Sequence, residues 1–194
     1  MSHMIIVERF GIRIRPVTMD DAKFIHSLRR SPELSQYIGE VDAQLSVHQQ
    51  WLEQYLQRDD DYYFCIELLT GKPIGTISIY NICNGIGNWG RWMITPLVPA
   101  AAASVWLIMH VAFDILSLSA VYSNTVIDNE RVVSFHDSCG FERTGIERNG
   151  LSIKGVSYDL LIHTSTRDNW PLIQSKLEKS AMLAERLIME GMDE

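Results

Sequence analysis

A chain of 194 residues, 46% of them hydrophobic and 21% charged, has the size and balance of one soluble globular domain with a sizeable core. Its formal net charge of −7 argues against a nucleic-acid partner held through phosphates. Three cysteines without CxxC spacing suggest neither a disulfide framework nor a zinc site, and the scattered histidines form no metal-binding pair. No apolar run approaches the roughly 18 unbroken residues of a membrane span, so the expected protein is cytoplasmic, free of metal and away from membranes.

The chain opens on Met1-Ser2-His3-Met4, which reads as an expression-tag remnant before a natural start at Met4. Residues 12–17 alternate as a half-buried strand does. Thr18 and Asp21 form a capping box with Asp in place of Glu, and Ala22, Ile25 and Leu28 share one face of a helix that Ser31-Pro32 ends. Residues 33–45 lack a period and predict a loop. Ser46 and Gln49 make a second capping box, ahead of a helix with Val47, Trp51, Leu52, Tyr55 and Leu56 as its apolar stripe. The acidic run at 58–61 reads as a solvated turn.

Strands over 62–69 and 74–80 flank the turn Thr70-Gly71-Lys72-Pro73, and a glycine-containing link leads to a strand closing at Pro96. Pro99 and four alanines open a long apolar helix to about Leu116. A strand over 120–126 follows, then a short helix capped by Asn129 and stopped by Gly140. Residues 141–148 and 156–164 predict a hairpin with its turn at Asn149-Gly150. Pro171 suits the first turn of a last helix lined on one side by Ile173, Leu177, Ala181, Ala184 and Ile188. The fold class expected is α/β: one domain over 5–168 with a mixed, mostly antiparallel sheet flanked by helices. The C-terminal helix over 169–194 packs on that domain or mediates a homodimer.

Residues 91–141 carry the chemistry. A strand that hands over directly to a helix leaves N–H groups unpaired at the positive end of the helix dipole, which suits an anionic phosphate. Small side chains at Ala100, Ala101, Ala102 and Ala103 let a ligand come close. Further on, Asn129 is followed by Val132 three later, His136 seven later and Gly140-Phe141 at the end. In these two pieces the chain resembles the GCN5-related N-acetyltransferase (GNAT) superfamily. It is nearest in pattern to the amino-sugar and ribosomal-protein N-terminal acetyltransferases, which share Tyr158-Asp159 followed by Asn169-Trp170. The likeness runs from Ile12 to Trp170. The first piece departs from the family's basic residue and glycines, reading Pro99, Ala100, Ala102 and Ser104 instead.

The resemblance implies acetyl-CoA as acyl donor. By it, the backbone of Trp92 and Ile94 pairs with the pantetheine arm, residues Ala100, Ala101, Ala102, Ala103 and Ser104 cradle the pyrophosphate, and Asn129 faces the cofactor as well as capping its helix. His136 stands where the family has a tyrosine near the CoA sulfur, so it is the candidate catalytic residue as proton donor to the thiolate, with a merely packed histidine as the alternative. The strand before the loop offers no carboxylate. A base would come from Glu40, Asp42 or water, or be unnecessary. Arg91 and Trp89 are the candidate substrate contacts; their alternatives are a salt bridge within the fold and core packing. The expected acceptor is a small-molecule amine, first a nucleotide-linked amino sugar of surface-glycan synthesis, as in the pseudaminic acid pathway enzymes, and second a protein N-terminus. Polyamines would want a denser acidic pocket. From another class, a non-catalytic acetyl-CoA-binding relative is suggested by Pro99, which removes an amide from the phosphate loop.

Overall fold

A computed structural model describes residues 3–190. The sheet begins earlier than the sequence pattern indicates. β1 (Val7–Arg9) and β2 (Ile12–Pro16) form a hairpin whose two turn residues, Phe10 and Gly11, are both left-handed at φ 58° and 72°. Two of the three residues of β1 are charged, so it carries no alternation to read. Asp21 reaches back to the Thr18 amide at 2.8 Å, as the capping box requires, and α1 (Ala22–Arg29) buries Ala22, Ile25 and Leu28. Its partner α2 (Leu45–Tyr55) starts one residue before Ser46, which is no cap, and Val47 lies on its exposed side. The irregular segment between the helices falls where the sequence puts it.

Next come β3 (Tyr62–Leu68), β4 (Pro73–Cys83) and β5 (Ile86–Ile94) as an antiparallel meander. α3 (Ala101–His110) buries eight of its ten residues and widens into a π-helical turn over Val111–Ile115. A helix apolar all round belongs at the centre of a core. β6 (Ala120–Val126) is followed by α4 (Glu130–Cys139), capped by Asn129 and closed by Gly140 at φ 92°. β7 (Glu142–Ile153) and β8 (Val156–Thr166) form the last hairpin, but its turn is Lys154-Gly155, not Asn149-Gly150. Asn149 is left-handed too; the ladder shifts register there, and its N–H donates to Asp159 at 2.9 Å. An Asn-Gly pair thus marks a bulge inside a longer strand.

The eight strands run in the order β1-β2-β3-β4-β5-β6-β8-β7, antiparallel except for β5 and β6. The fold is therefore the α/β domain with a mixed sheet that the sequence predicts. α5 (Trp170–Glu190) lays Ile173, Leu177 and Ala181 against the core, and its Trp170 ring lies 5.7 Å from Phe113 at the end of the central helix. Among the described residues no helix is long and apolar enough to cross a membrane, and no cluster of His, Cys, Asp and Glu is arranged to hold a metal ion.

Candidate active site

The parallel pair β5–β6 is the weak seam of the sheet. Its ladder covers Ile86 to Asn88 against Ala120 to Tyr122 and stops, so beyond Asn88 the two strands separate. On its other edge β5 stays paired with β4 to the end: Thr95 donates to the Ile74 carbonyl at 2.7 Å, and Met93 lies opposite Thr76. Backbone groups alternate in direction along a strand, so Thr95 and Met93 spend theirs on β4 while Ile94 and Trp92 direct theirs into the gap. A free strand edge of this kind pairs with any extended chain that carries amides.

A bulge sets this geometry. Between Gly90 and Met93 two residues of β5 face one of β4, and Arg91 takes φ 47°. The carbonyls displaced by the bulge are caught by β4 hydroxyls: Thr76 donates to Arg91 O at 2.8 Å and Ser78 to Gly90 O at 3.1 Å.

The gap opens into a groove of about 810 Å³ lined by Trp92 to Val98, Ala101, the start of α4 from Asp128 to Val132, and Glu33, Leu34 and Gln36 to Ile38 of the irregular segment. At its far end lies the N-terminus of α3. The first-turn amides of Ala101, Ala102 and Ala103 have no acceptor within the helix, and Ala101 is the one that lines the groove. Ala100, Ala102 and Ala103 are buried, so they shape the loop from behind. Ser104 is fully buried as well; its hydroxyl donates to Ala101 O at 2.9 Å and accepts from Trp92 Nε1 at 3.1 Å. Ser104 therefore ties the indole of the strand to the helix start. Asn129 lines the groove while its Oδ1 accepts from the Val132 amide at 3.4 Å.

His136 is placed differently from a solvent-reaching acid. Its ring is 2% exposed and packs 5.1 Å from Trp89, 5.5 Å from Phe141 and 5.0 Å from His163. Neither ring nitrogen has a hydrogen-bond partner. Burial, reinforced by the His163 ring, pushes its pKa down to about 3. At neutral pH the imidazole is uncharged, and the imidazolium that a proton donor needs is not populated. Trp89 is 2% exposed and belongs to the same aromatic core, out of reach of any substrate. The alternative of core packing holds for Trp89.

For Arg91, too, the fold supplies the partner. Its guanidinium donates to Asp61 at 2.9 Å and to the Tyr55 hydroxyl at 2.6 Å, and it lies over the rings of Tyr80 and Tyr55 at 4.2 and 4.8 Å. Burial draws its pKa down, but Tyr55 and Asp61 outweigh that and raise it. Asp61 ends the acidic run that reads as a solvated turn; its side chain is only 6% exposed. One of three consecutive aspartates faces inward, which composition alone does not reveal.

A second cavity, of about 630 Å³, lies between the C-terminal end of α1, residues 32–41 and the tip of the β7–β8 hairpin. Gln36 and Ile38 line both spaces and form the wall between them. Of the two acidic residues proposed as bases, Glu40 lines this cavity, whereas Asp42 is engaged in the loop, its Oδ1 accepting from the Gln44 amide at 2.7 Å.

A family model for the acetyltransferase (GNAT) domain matches residues 12–142. The chain belongs to the GNAT family. It is an N-acetyltransferase that uses acetyl-CoA, the acetyl donor of the GNAT domain family. No curated protein sequence matches it. Among solved structures, it is similar to a GCN5-related N-acetyltransferase from Brucella melitensis, with 21% identity and a TM-score of 0.79 over 91% of this chain and 85% of that one. A nucleotide-linked sugar GNAT, FdhC, is 21% identical with a TM-score of 0.74 over 93% and 98% of the two chains. A mutant of the spermidine N-acetyltransferase SpeG from Vibrio cholerae is 17% identical with a TM-score of 0.74 over 84% and 97%. At these identities the likeness is one of fold.

The residues of the GNAT groove fit acetyl-CoA on three counts: an open strand edge for amides, a helix start with free N–H groups, and a capping Asn between them. Two features of the site are invisible to motif reading. Phe135, one position before the family's aromatic site, lines the groove and lies 5.2 Å from Trp92, closing the gap between β5 and α4. Gln36 and Ile38 sit in a segment with no periodicity at all.

Proposed function

We propose that this GNAT enzyme acetylates a primary amine on a nucleotide-linked amino sugar. The observation that carries the reading is the pair of joined cavities. One follows the β5 edge to the start of α3 and suits the donor; the other, across Gln36 and Ile38, has the volume for a sugar. Glu40 is the single carboxylate among the residues lining the acceptor side, whereas a polycationic amine would be matched by several.

Acetyl-CoA supplies an activated thioester carbonyl. The free amide edge of Trp92 and Ile94 would hold the pantetheine arm extended, and the Ala101 end of α3 would take the pyrophosphate. The amine enters from the second cavity, loses its proton toward Glu40 through water, and attacks the carbonyl carbon directly. The C–N bond forms, the C–S bond breaks, and the second proton of the nitrogen passes through water to the departing thiolate, so that CoA leaves as the thiol. His136, neutral and sealed behind Trp89, forms the floor of this seam and moves no proton.

A panel of acceptors in the presence of acetyl-CoA tests the reading: nucleotide-linked amino sugars, free amino sugars, spermidine and peptides with free N-termini. Turnover is expected on the nucleotide-linked compounds, with kcat/KM at least about tenfold above the free sugars. Acetylation of peptides alone would make the protein N-terminus the acceptor, and turnover of spermidine alone would make it a polyamine.

A further inference from the structure

Charge on the acceptor cavity is not balanced within the fold. Arg29, the last residue of α1, lies half-buried on the cavity wall. Other shielded arginines are matched: Arg13 and Arg15 by Glu67, Arg15 also by Asp21, Arg91 by Asp61. Arg167 donates to the carbonyls of Phe113 and Leu118. Among the described residues, Arg29 has no carboxylate within ion-pair distance; its electrostatic neighbours include the Tyr63 phenol, the like-charged Arg91 and the His48 ring. Burial, and then Arg91, lower its pKa.

A half-desolvated guanidinium without a counter-charge is unfavourable until an anion joins it. Two further cations line the same cavity. Arg30 holds the loop by donating to Ala43 O at 2.8 Å, and Lys154 stands at the left-handed tip of the β7–β8 turn. Three cations thus surround a space with one carboxylate, in a chain whose net charge is −7. Global charge does not produce such a patch, and a planar fork is the side chain suited to bidentate phosphate recognition.

We propose that Arg29, supported by Arg30 and Lys154, is an anion subsite that receives the diphosphate of the acceptor and so sets acceptor specificity. The subsite rests on the nucleotide-linked reading of the acceptor. Held there, the diphosphate leaves the sugar at the Gln36 and Ile38 wall, with its amine toward the groove. Arg29 is a positioning residue: it grips the substrate away from the reacting atoms.

Binding of inorganic pyrophosphate to the full chain tests the subsite, measured by calorimetry with CoA at saturation so that the donor's phosphate loop is already filled. The native protein is expected to bind it, Arg29→Gln to bind at least about tenfold more weakly, equivalent to roughly 1.4 kcal/mol, and Arg29→Lys to lie between. In kinetics, Arg29→Gln should raise KM for a nucleotide-linked amine about tenfold and leave kcat within about threefold. Equal pyrophosphate affinity in native protein and Arg29→Gln, with only a lower melting temperature, would show that Arg29 serves the end of α1 and would overturn the subsite. So would the absence of pyrophosphate binding to the native protein. The two readings separate cleanly. Arg29-dependent binding in an enzyme that acetylates only peptides keeps the anion site but overturns its role in acceptor specificity together with the sugar; turnover of nucleotide sugars with an unchanged KM in Arg29→Gln keeps the sugar and overturns the subsite.

Discussion

His136 shows how one position can satisfy a motif and lose its chemistry. The helix period and the Gly140-Phe141 closure bring residue 136, where the resemblance implies a tyrosine near the CoA sulfur, to the core side of α4, and the imidazole there ends among Trp89, Phe141 and His163. Its neighbour His163 is fully buried and donates from Nε2 to Asp137 at 3.1 Å; Asp137, which also accepts from Arg143, is held below the usual carboxylate range by both. The folded-state pKa of His136 lies at about 3, below the unfolded value near 6.5. Below pH 6.5 the unfolded chain therefore binds a proton that the native ring refuses, and stability falls as pH drops from 6.5 toward 3 by up to about 1.4 kcal/mol per pH unit. Urea melts from pH 7 to 4 should show this slope, and His136→Leu should flatten it. The same variant should keep kcat at neutral pH within about tenfold, because an acting general acid would contribute roughly 10²-fold or more; a larger loss would return the ring to the mechanism. Glu40 makes the opposite prediction. Glu40→Gln should leave the melting temperature unchanged, since the side chain is exposed, and lower kcat/KM by roughly 10²-fold. Equal activity would mean that water alone takes the amine's proton.

At the scale of elements, the β4–β5 pair decides whether the site exists. Just past the bulge at Arg91 the strands approach closely at Gly75, which pairs with Ile94: a Cβ there would meet the Met93 carbonyl oxygen at 2.3 Å. Gly75→Ala should cost about 1 to 3 kcal/mol by overpacking against backbone and shift the edge presented by Trp92 and Ile94, so that KM for acetyl-CoA rises in a protein that still folds. A normal KM would show that the bulge does not position the edge. The Asp61–Arg91 pair locks the bulge from the other side. Asp61→Asn strips a half-buried guanidinium of its counter-charge and should destabilise by roughly 1 to 3 kcal/mol, whereas Asp61→Asn with Arg91→Met should recover much of that loss, as denaturant midpoints would report. Elements with strong period or caps are legible in the sequence: the burial face of α1, the Asn129 cap, the Gly140 stop and the apolar α3 all follow from local chemistry. The rest was not legible because it depends on partners distant in sequence. Asp61 looks like its two neighbours until Arg91 arrives from 30 residues away, and Asn149-Gly150 yields its turn to Lys154-Gly155 because the β7–β8 ladder continues past it. Arg91 was readable as needing an anion; which anion was a matter of tertiary structure.

For the molecule as a whole, the question is how a sheet of eight strands stays one sheet with a seam that pairs over only three residues. Side chains rather than backbone close it. Phe135 from α4 lies against Trp92 of β5, Trp92 is tied to Ser104 of α3, and Trp89 packs on Phe141 beyond the end of α4. Behind this bridge, Trp89 Nε1, Ser123 Oγ, both nitrogens of His136 and Nδ1 of His163 are buried without protein partners. Polar atoms so placed rarely persist without water or a ligand, so the seam is the part of the core whose order depends most on what fills the gap beside it. The main core cluster runs from the β1–β2 hairpin through α3 to α5, and a second packs α1 and α2 against Tyr63 and Cys65 of β3. The consequence is a local one: the donor should order the seam and leave the far side of the sheet as it was. Amide hydrogen exchange reads this residue by residue. With saturating acetyl-CoA, the amides of Trp92 and Ile94 gain acceptors and should exchange at least about tenfold more slowly, and those of Ala101, Ala102 and Ala103 at the start of α3 should follow. Amides of β2 and β3, already paired on both sides, should change little. Uniform slowing across the sheet would mean that the donor stabilises the domain globally by mass action, and the strand edge would then have no special part in holding it. Slowing at α3 without any at Trp92 and Ile94 would place the pyrophosphate correctly and the pantetheine arm elsewhere.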